Sequence, residues 1–243
     1  MTRPLRLGCV PYLNAKPLLE GLRGVELRPP SRLVGRLASG ALDAALIPAV
    51  EVLRLGLAHV PGIAIAARGA VQSVRLHHRR PIRELRVVAL DRNSRTSNML
   101  TRVLLEERFG LRPRYVVRDP SRGLDWDGVD GAVTIGDTSF LPSGTASKDL
   151  AELWSRWTGK PFVFALWAHR PGHPRAAEIA RTLREAKRRG RAGLEAIVAR
   201  EAGRMGLRPA FVRRYLTKAI RYDLGPEERA GLKLFWNYAV DRA

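Results

Sequence analysis

Leu85-Arg86-Val87-Val88-Ala89-Leu90-Asp91-Arg92-Asn93-Ser94-Arg95-Thr96-Ser97 is the stretch whose reading decides the fold. Residues 85–90 are a short, largely apolar run suited to a strand. Ser94 is a natural N-cap. From residue 95 to 109, Met99, Leu100, Val103 and Leu104 fall on one face of a helix that Gly110 stops. A strand running straight into a capped helix is the repeating unit of an α/β protein. The joining turn, residues 91–97, sets hydroxyls, an amide and a guanidinium beside the backbone N–H groups that a helix start leaves unpaired. Such a turn holds a carboxylate or phosphate without a metal. An ordinary cap by Ser94 with solvated arginines fits the same residues, and the sequence alone does not separate the two.

The alternation continues outward. Strands are expected at 6–10, 43–47, 63–67, 71–77, 114–117, 131–135 and 161–168, with helices at 16–22, 31–37, 48–56 and 150–157. After Pro174 only helices are expected, at 174–189, 192–205, 209–219 and 226–240. The pattern predicts α/β architecture with largely parallel sheets and a helical C-terminal tail. Composition breaks near 79–81 and 169–174 bracket an inserted unit. They give one lobe from 1–80 and 170–243, and a second from 81–169.

The chain has 243 residues and a net charge of +20, from 43 Lys and Arg against 23 Asp and Glu. A charge of this size first brings nucleic acid to mind. Its distribution argues against that reading. Residues 175–221 carry fourteen basic and four acidic side chains, on helices whose regular apolar spacing leaves the arginines on the wet face. A positive field that draws a small anion toward a cleft needs no sequence-specific contact. No apolar run reaches the roughly 20 residues that span a bilayer. The N-terminus lacks the apolar core of a secretory signal, so a cytoplasmic protein is expected. Cys9 is the single cysteine, which excludes an intrachain disulfide and a cysteine-rich metal site. Neither common nucleotide fingerprint occurs. No cofactor, metal, membrane or nucleic-acid partner is expected, and the oligomeric state is left open.

Several other residues bear chemistry. Asn14, in Val10-Pro11-Tyr12-Leu13-Asn14, follows the first strand at the carboxyl end, where open α/β sheets bind ligands. It suits either a ligand contact or an Asx turn. Gly136-Asp137 occupies an equivalent place, with Asp137 a ligand contact or a turn cap. Ser73 lies in a strand, where a hydroxyl commonly bonds a neighbouring carbonyl. His77 and His78 are adjacent, so on a strand they face opposite sides and share no ion. His169 and His173 flank a Pro-Gly turn and read as surface residues. Trp154, Trp157, Phe162, Phe164 and Trp167 fit an aromatic core or a pocket lining.

These segments together resemble a known family, the chorismate dehydratases of the futalosine route to menaquinone. The resemblance is carried by Val10-Pro11-Tyr12-Leu13-Asn14-Ala15-Lys16-Pro17-Leu18, Ala45-Leu46-Ile47-Pro48, and Pro61-Gly62-Ile63-Ala64-Ile65-Ala66. It continues through Gly69-Ala70-Val71-Gln72-Ser73-Val74, Ser94-Arg95-Thr96-Ser97, Ile135-Gly136-Asp137, and the run from Trp157 through Lys160 to Ala168. It departs from the usual pattern at Thr138-Ser139 and Lys160. A sister family that makes dihydroxynaphthoate shares the fold but has a Ser-Pro-Cys-Pro-Asn-Asp-like turn after the first strand.

The resemblance implies a two-lobed, periplasmic-binding-protein-like type II fold with the ligand between the lobes. It implies that Asn14, Ser73, the turn Ser94, Arg95, Thr96 and Ser97, and Gly136 and Asp137 face that cleft, with Asn14 and Ser73 orienting the reacting part of chorismate. The implied reaction is loss of water, and the rivals are a non-catalytic receptor for a small organic anion and the sister activity. The matched segments supply no cleft histidine, and Glu51 and Asp137 have structural alternatives as bases. The expected base is therefore the substrate's own enolpyruvyl carboxylate.

Overall fold

The computed structural model describes residues 3–242. In chain order its elements begin with β1 (Leu7–Cys9), β2 (Glu26–Leu27), α1 (Pro30–Ala38), β3 (Ala44–Pro48), α2 (Ala49–Arg54) and β4 (Ala58–Ala67). Then come β5 (Val74–His78), β6 (Val87–Asp91), α3 (Arg95–Val103), β7 (Arg114–Arg118), β8 (Gly131–Ile135), β9 (Ala146–Asp149) and α4 (Leu150–Thr158). β10 (Phe162–His169) leads into α5 (Ala176–Ala192), α6 (Leu194–Met205), α7 (Pro209–Arg214) and α8 (Pro226–Ala239).

Among the described residues these strands make two five-stranded sheets, ordered β2-β1-β3-β10-β4 and β7-β6-β8-β5-β9. Strand β3, Ala44-Ala45-Leu46-Ile47-Pro48, is buried throughout, as a strand covered on both faces must be. The sheets are mixed rather than largely parallel. β1, β2 and β3 run parallel, as do β6, β7 and β8, but β10 and β5 run antiparallel to both of their neighbours. The cause is the exchange of strands between sheets, which local strand–helix alternation does not encode. The chain leaves the first sheet after β4, builds the second, and returns as β10. The composition breaks near 79–81 and 169–174 therefore follow β5 and β10, and the chain changes sheets at 68–73 and 159–161.

The tail docks mainly on the first sheet. α5 packs on β4 and on the 3₁₀ turn Leu13–Leu18, α6 on that same turn, and α8 on β10, α2 and α3. Close approach needs glycine: a Cβ at Gly190 would lie 1.9 Å from the Pro17 carbonyl oxygen. Paired bonds between Ala66 and Arg221 cover the outer edge of β4. That removes an open strand edge. Among the described residues no helix is long and apolar enough to cross a membrane.

Trp154, Phe162 and Trp167 are fully buried and so belong to the core, where Trp154 meets Phe162 and Phe235 edge-on. Phe164 instead reaches the cleft. His169 and His173, expected at the surface, are buried, and the His173 imidazole Nε2 lies 3.5 Å from the carboxylate of buried Asp43. Asp43 is held below the usual carboxylate range by its bonds to Arg6, which outweigh the effect of its burial.

Candidate active site

Between the two sheets lies a narrow, largely apolar cleft lined by residues of both. The first sheet contributes Val10, Leu46 to Pro48 and Ile65, the second Val74 and Ile135, and the crossover Val71. The polar lining is Asn14, Ser73, Ser94, Thr96 and Ser97, with Tyr12 and Gly136. Among the described residues that line it, none carries a formal charge.

Each polar group is held by its local structure. Ser94 caps α3, its Oγ accepting from the Ser97 N–H at 3.2 Å. Asn98 locks the turn from behind, donating through Nδ2 to the Asp91 carbonyl at 2.7 Å and accepting from the Asp91 N–H. Capping and cleft lining, alternatives in the sequence, thus occur together at Ser94. Asn14 sits on the Leu13–Leu18 turn beneath α5, with its buried Oδ1 lacking a protein partner. Ser73 is pinned twice: its carbonyl accepts from Gly136 N–H at 2.8 Å, and its Oγ accepts from the Tyr215 hydroxyl at 2.8 Å. Gly136 has φ +60°, and a Cβ there would lie 2.8 Å from Tyr12 Cδ1, so the ring of Tyr12 lies directly on the glycine.

The structure brings together six of the eight expected site residues: Asn14, Ser73, Ser94, Thr96, Ser97 and Gly136. Arg95 and Asp137 do not line the cleft. The Arg95 guanidinium is 65% exposed and pairs at 3.2 Å with Glu51, whose other oxygen takes Arg54 at 2.7 Å. Asp137 accepts the Leu13 N–H at 2.9 Å, and burial raises its pKa against that bond. Both contacts tie an element of one sheet to an element of the other. The Thr96 hydroxyl does the same, accepting the Val50 N–H at 3.2 Å. The motif residues nearest the anion turn therefore divide, some facing the cleft and others clasping its two sides.

Sequence reasoning missed Tyr215, and it took up Tyr12 and Asp91 only as members of quoted stretches, with no role of their own. Tyr215 lies in the tail, where its spacing with Phe211 reads only as an apolar helix face. Tyr12 stood inside a quoted motif, but nothing local marks its ring as the cover of Gly136. Asp91 is buried at the end of β6, and its carboxyl is pushed up to about 6 by burial, with Asp119 adding and the Asn93 N–H opposing. His77 is also buried, bonded to Ser143 and Thr134, and burial depresses it to about 4. Among the described residues no cluster of three or more His, Cys, Asp or Glu is placed to hold a metal ion.

Two mixed sheets that exchange strands around a shared cleft define the class of two-lobed, binding-protein-like folds. Solved structures agree. A crystal structure of an Archaeoglobus fulgidus protein matches with TM-score 0.77 at 16% identity, covering 98% of this chain and 97% of that one. The periplasmic aliphatic sulphonate binding protein SsuA of Escherichia coli matches with TM-score 0.66 at 16% identity, covering 100% and 95%. Within that class the chain belongs to the menaquinone biosynthesis family, whose model matches residues 5–241. A relative from Thermus thermophilus named chorismate dehydratase is 34% identical, over 96% of this chain and 94% of that protein.

Proposed function

We propose that this protein is a chorismate dehydratase, a hydro-lyase that removes the ring C3 hydrogen and the C4 hydroxyl of chorismate to leave 3-[(1-carboxyvinyl)oxy]benzoate. The observation that carries the reading is a cleft whose polar groups are neutral hydrogen-bonding side chains, Ser94, Thr96 and Ser97 at the start of α3 together with Asn14 and Ser73. Family membership and the named relative support the same substrate. In this reading the enzyme is cytoplasmic and needs no cofactor.

The C3 hydrogen is acidic because the electrons it leaves behind delocalise through the diene into the ring carboxylate. Donors fixed in advance around that carboxylate stabilise the charge as it arrives, and loss of one such donor elsewhere costs roughly 3 to 4 kcal/mol. Backbone N–H groups at the start of α3, with the hydroxyls of Thr96 and Ser97, fill this role. Asn14 and Ser73 orient the C4 hydroxyl and the ether oxygen. The enolpyruvyl carboxylate, held near C3, takes the proton, since a well-placed intramolecular group acts at very high effective molarity. The placement of the carboxylates around the cleft supports this choice: Glu51 is committed to Arg54 and Arg95, and Asp137 to the Leu13 N–H.

The test is a set of single variants with kcat measured on chorismate. Asn14→Ala should lower kcat sharply in a folded protein, whereas Glu51→Gln, Asp137→Asn, His77→Gln and His78→Gln should each keep measurable activity. A loss of several orders of magnitude in one of those four, with substrate binding retained, would make that residue the base and end the substrate-assisted reading.

A further inference from the structure

Tyr215 lies where α7 gives way to the π-helical turn Tyr215–Ala219, and it is fully buried. Single π-turns within helices recur at functional sites. Phe140, on the turn after β8, meets its ring edge-on at 5.0 Å, and Phe211 stacks parallel at 6.4 Å. The ring is therefore fixed from both the second sheet and the tail. Its hydroxyl reaches the back of the cleft wall, donating to Ser73 Oγ at 2.8 Å.

We propose that Tyr215 is a positioning residue that sets the direction of the Ser73 hydrogen bond on the cleft wall, making Ser73 a donor toward the ligand. The inference rests on the dehydratase reading. A buried phenol must place its proton on an acceptor. That proton goes to Ser73 Oγ, and burial keeps the phenol in its protonated form. With a lone pair of Oγ so occupied, and the Ser73 carbonyl already bonded to Gly136, the serine hydrogen is left to point into the cleft that Ser73 lines. Asn14 adds an acceptor beside it. Its buried Oδ1 has no protein partner, so a ligand hydroxyl can donate to it. The wall thus asks for a ligand that offers a hydroxyl to Asn14 and an acceptor oxygen to Ser73. A hydroxylated ring with a neighbouring ether or carboxylate oxygen meets both demands.

Tyr215→Phe removes the hydroxyl and keeps the ring packing. Thermal unfolding should stay close to wild type, KM should change less than about threefold, and kcat should fall about tenfold, the scale of one lost orienting hydrogen bond. Ser73→Ala combined with Tyr215→Phe should be no slower than Ser73→Ala alone, because the tyrosine acts through the serine. Wild-type kcat in the single variant, or losses that multiply in the double variant, would overturn the positioning role while leaving the dehydratase reading intact. A wild-type protein that makes no aromatic product would instead overturn the dehydratase reading, and this inference with it.

Discussion

Thr96→Val puts the clasp between the two halves of the molecule to a quantitative test. The valine keeps the shape of the side chain but removes the oxygen that accepts the Val50 N–H at 3.2 Å. Thr96 is 2% exposed and Val50 3%, so in the closed arrangement that N–H is left buried without a partner. Leaving such a group unpaired costs about 1–3 kcal/mol. Thr96 opens α3 on the second sheet's side, and Val50 lies in the first turn of α2, after β3 of the first sheet. In an arrangement with the halves apart, water would reach the N–H, so the cost would fall on the closed form alone. That penalty, together with loss of the Thr96 hydroxyl as a donor to the ring carboxylate, should lower the apparent affinity for chorismate by at least about fivefold. Calorimetric titration measures the loss, and thermal unfolding should show that overall stability is nearly unchanged. Thr96→Ser, which keeps the acceptor, should restore most of the affinity. Wild-type affinity in Thr96→Val, or an affinity loss equal in the serine and valine variants, would refute the reasoning.

Arg95→Ala should weaken apparent affinity no more than about fivefold, since its guanidinium is mostly exposed and Glu51 keeps Arg54; exposed ion pairs are worth about 0–1 kcal/mol, which steady-state kinetics would register as a change in KM alone. Gly136→Ala should cut kcat/KM at least tenfold, because its Cβ would displace Tyr12 from 2.8 Å and φ +60° disfavours a side chain; wild-type kinetics would show the ring to be free to move. Asp91 has a pH signature. Its carboxyl stands near 6 when folded against 3.8 for the free group, so between those values the folded chain keeps a proton that the unfolded chain releases. Stability contributed by Asp91 is therefore lost as pH rises through that window, by about 3 kcal/mol at most. Asp91→Asn should flatten this slope in denaturant unfolding measured from pH 4 to 7, and an unchanged slope would contradict it.

The elements at the heart of the fold were readable because their signals are local. Ser94 as a cap, the apolar face of α3 and the buried run of β3 each follow from a few adjacent residues. The direction of β5 and β10 was not readable, since it depends on which sheet a strand joins after the chain crosses between lobes. The site divides in the same way. Asn14, Ser73 and Gly136 stand at strand ends or at the crossover, where topology alone aims residues at a cleft. Arg95 and Asp137 sit beside them in sequence, but a helix start and a 3₁₀ turn send their side chains elsewhere, toward Glu51 and the Leu13 N–H. Tyr215 lies 142 residues from Ser73 along the chain, and only the docking of the tail brings the two hydroxyls together.

Incubation of the purified protein with chorismate, followed by proton NMR, tests the central claim most directly. The account predicts loss of the ring C3 and C4 proton signals, appearance of four aromatic protons, and retention of the enolpyruvyl methylene, with turnover many times the enzyme concentration. Chorismate that binds and is recovered unchanged would make the protein a receptor, and an aromatic product lacking the enolpyruvyl group would mean a different reaction in the same cleft.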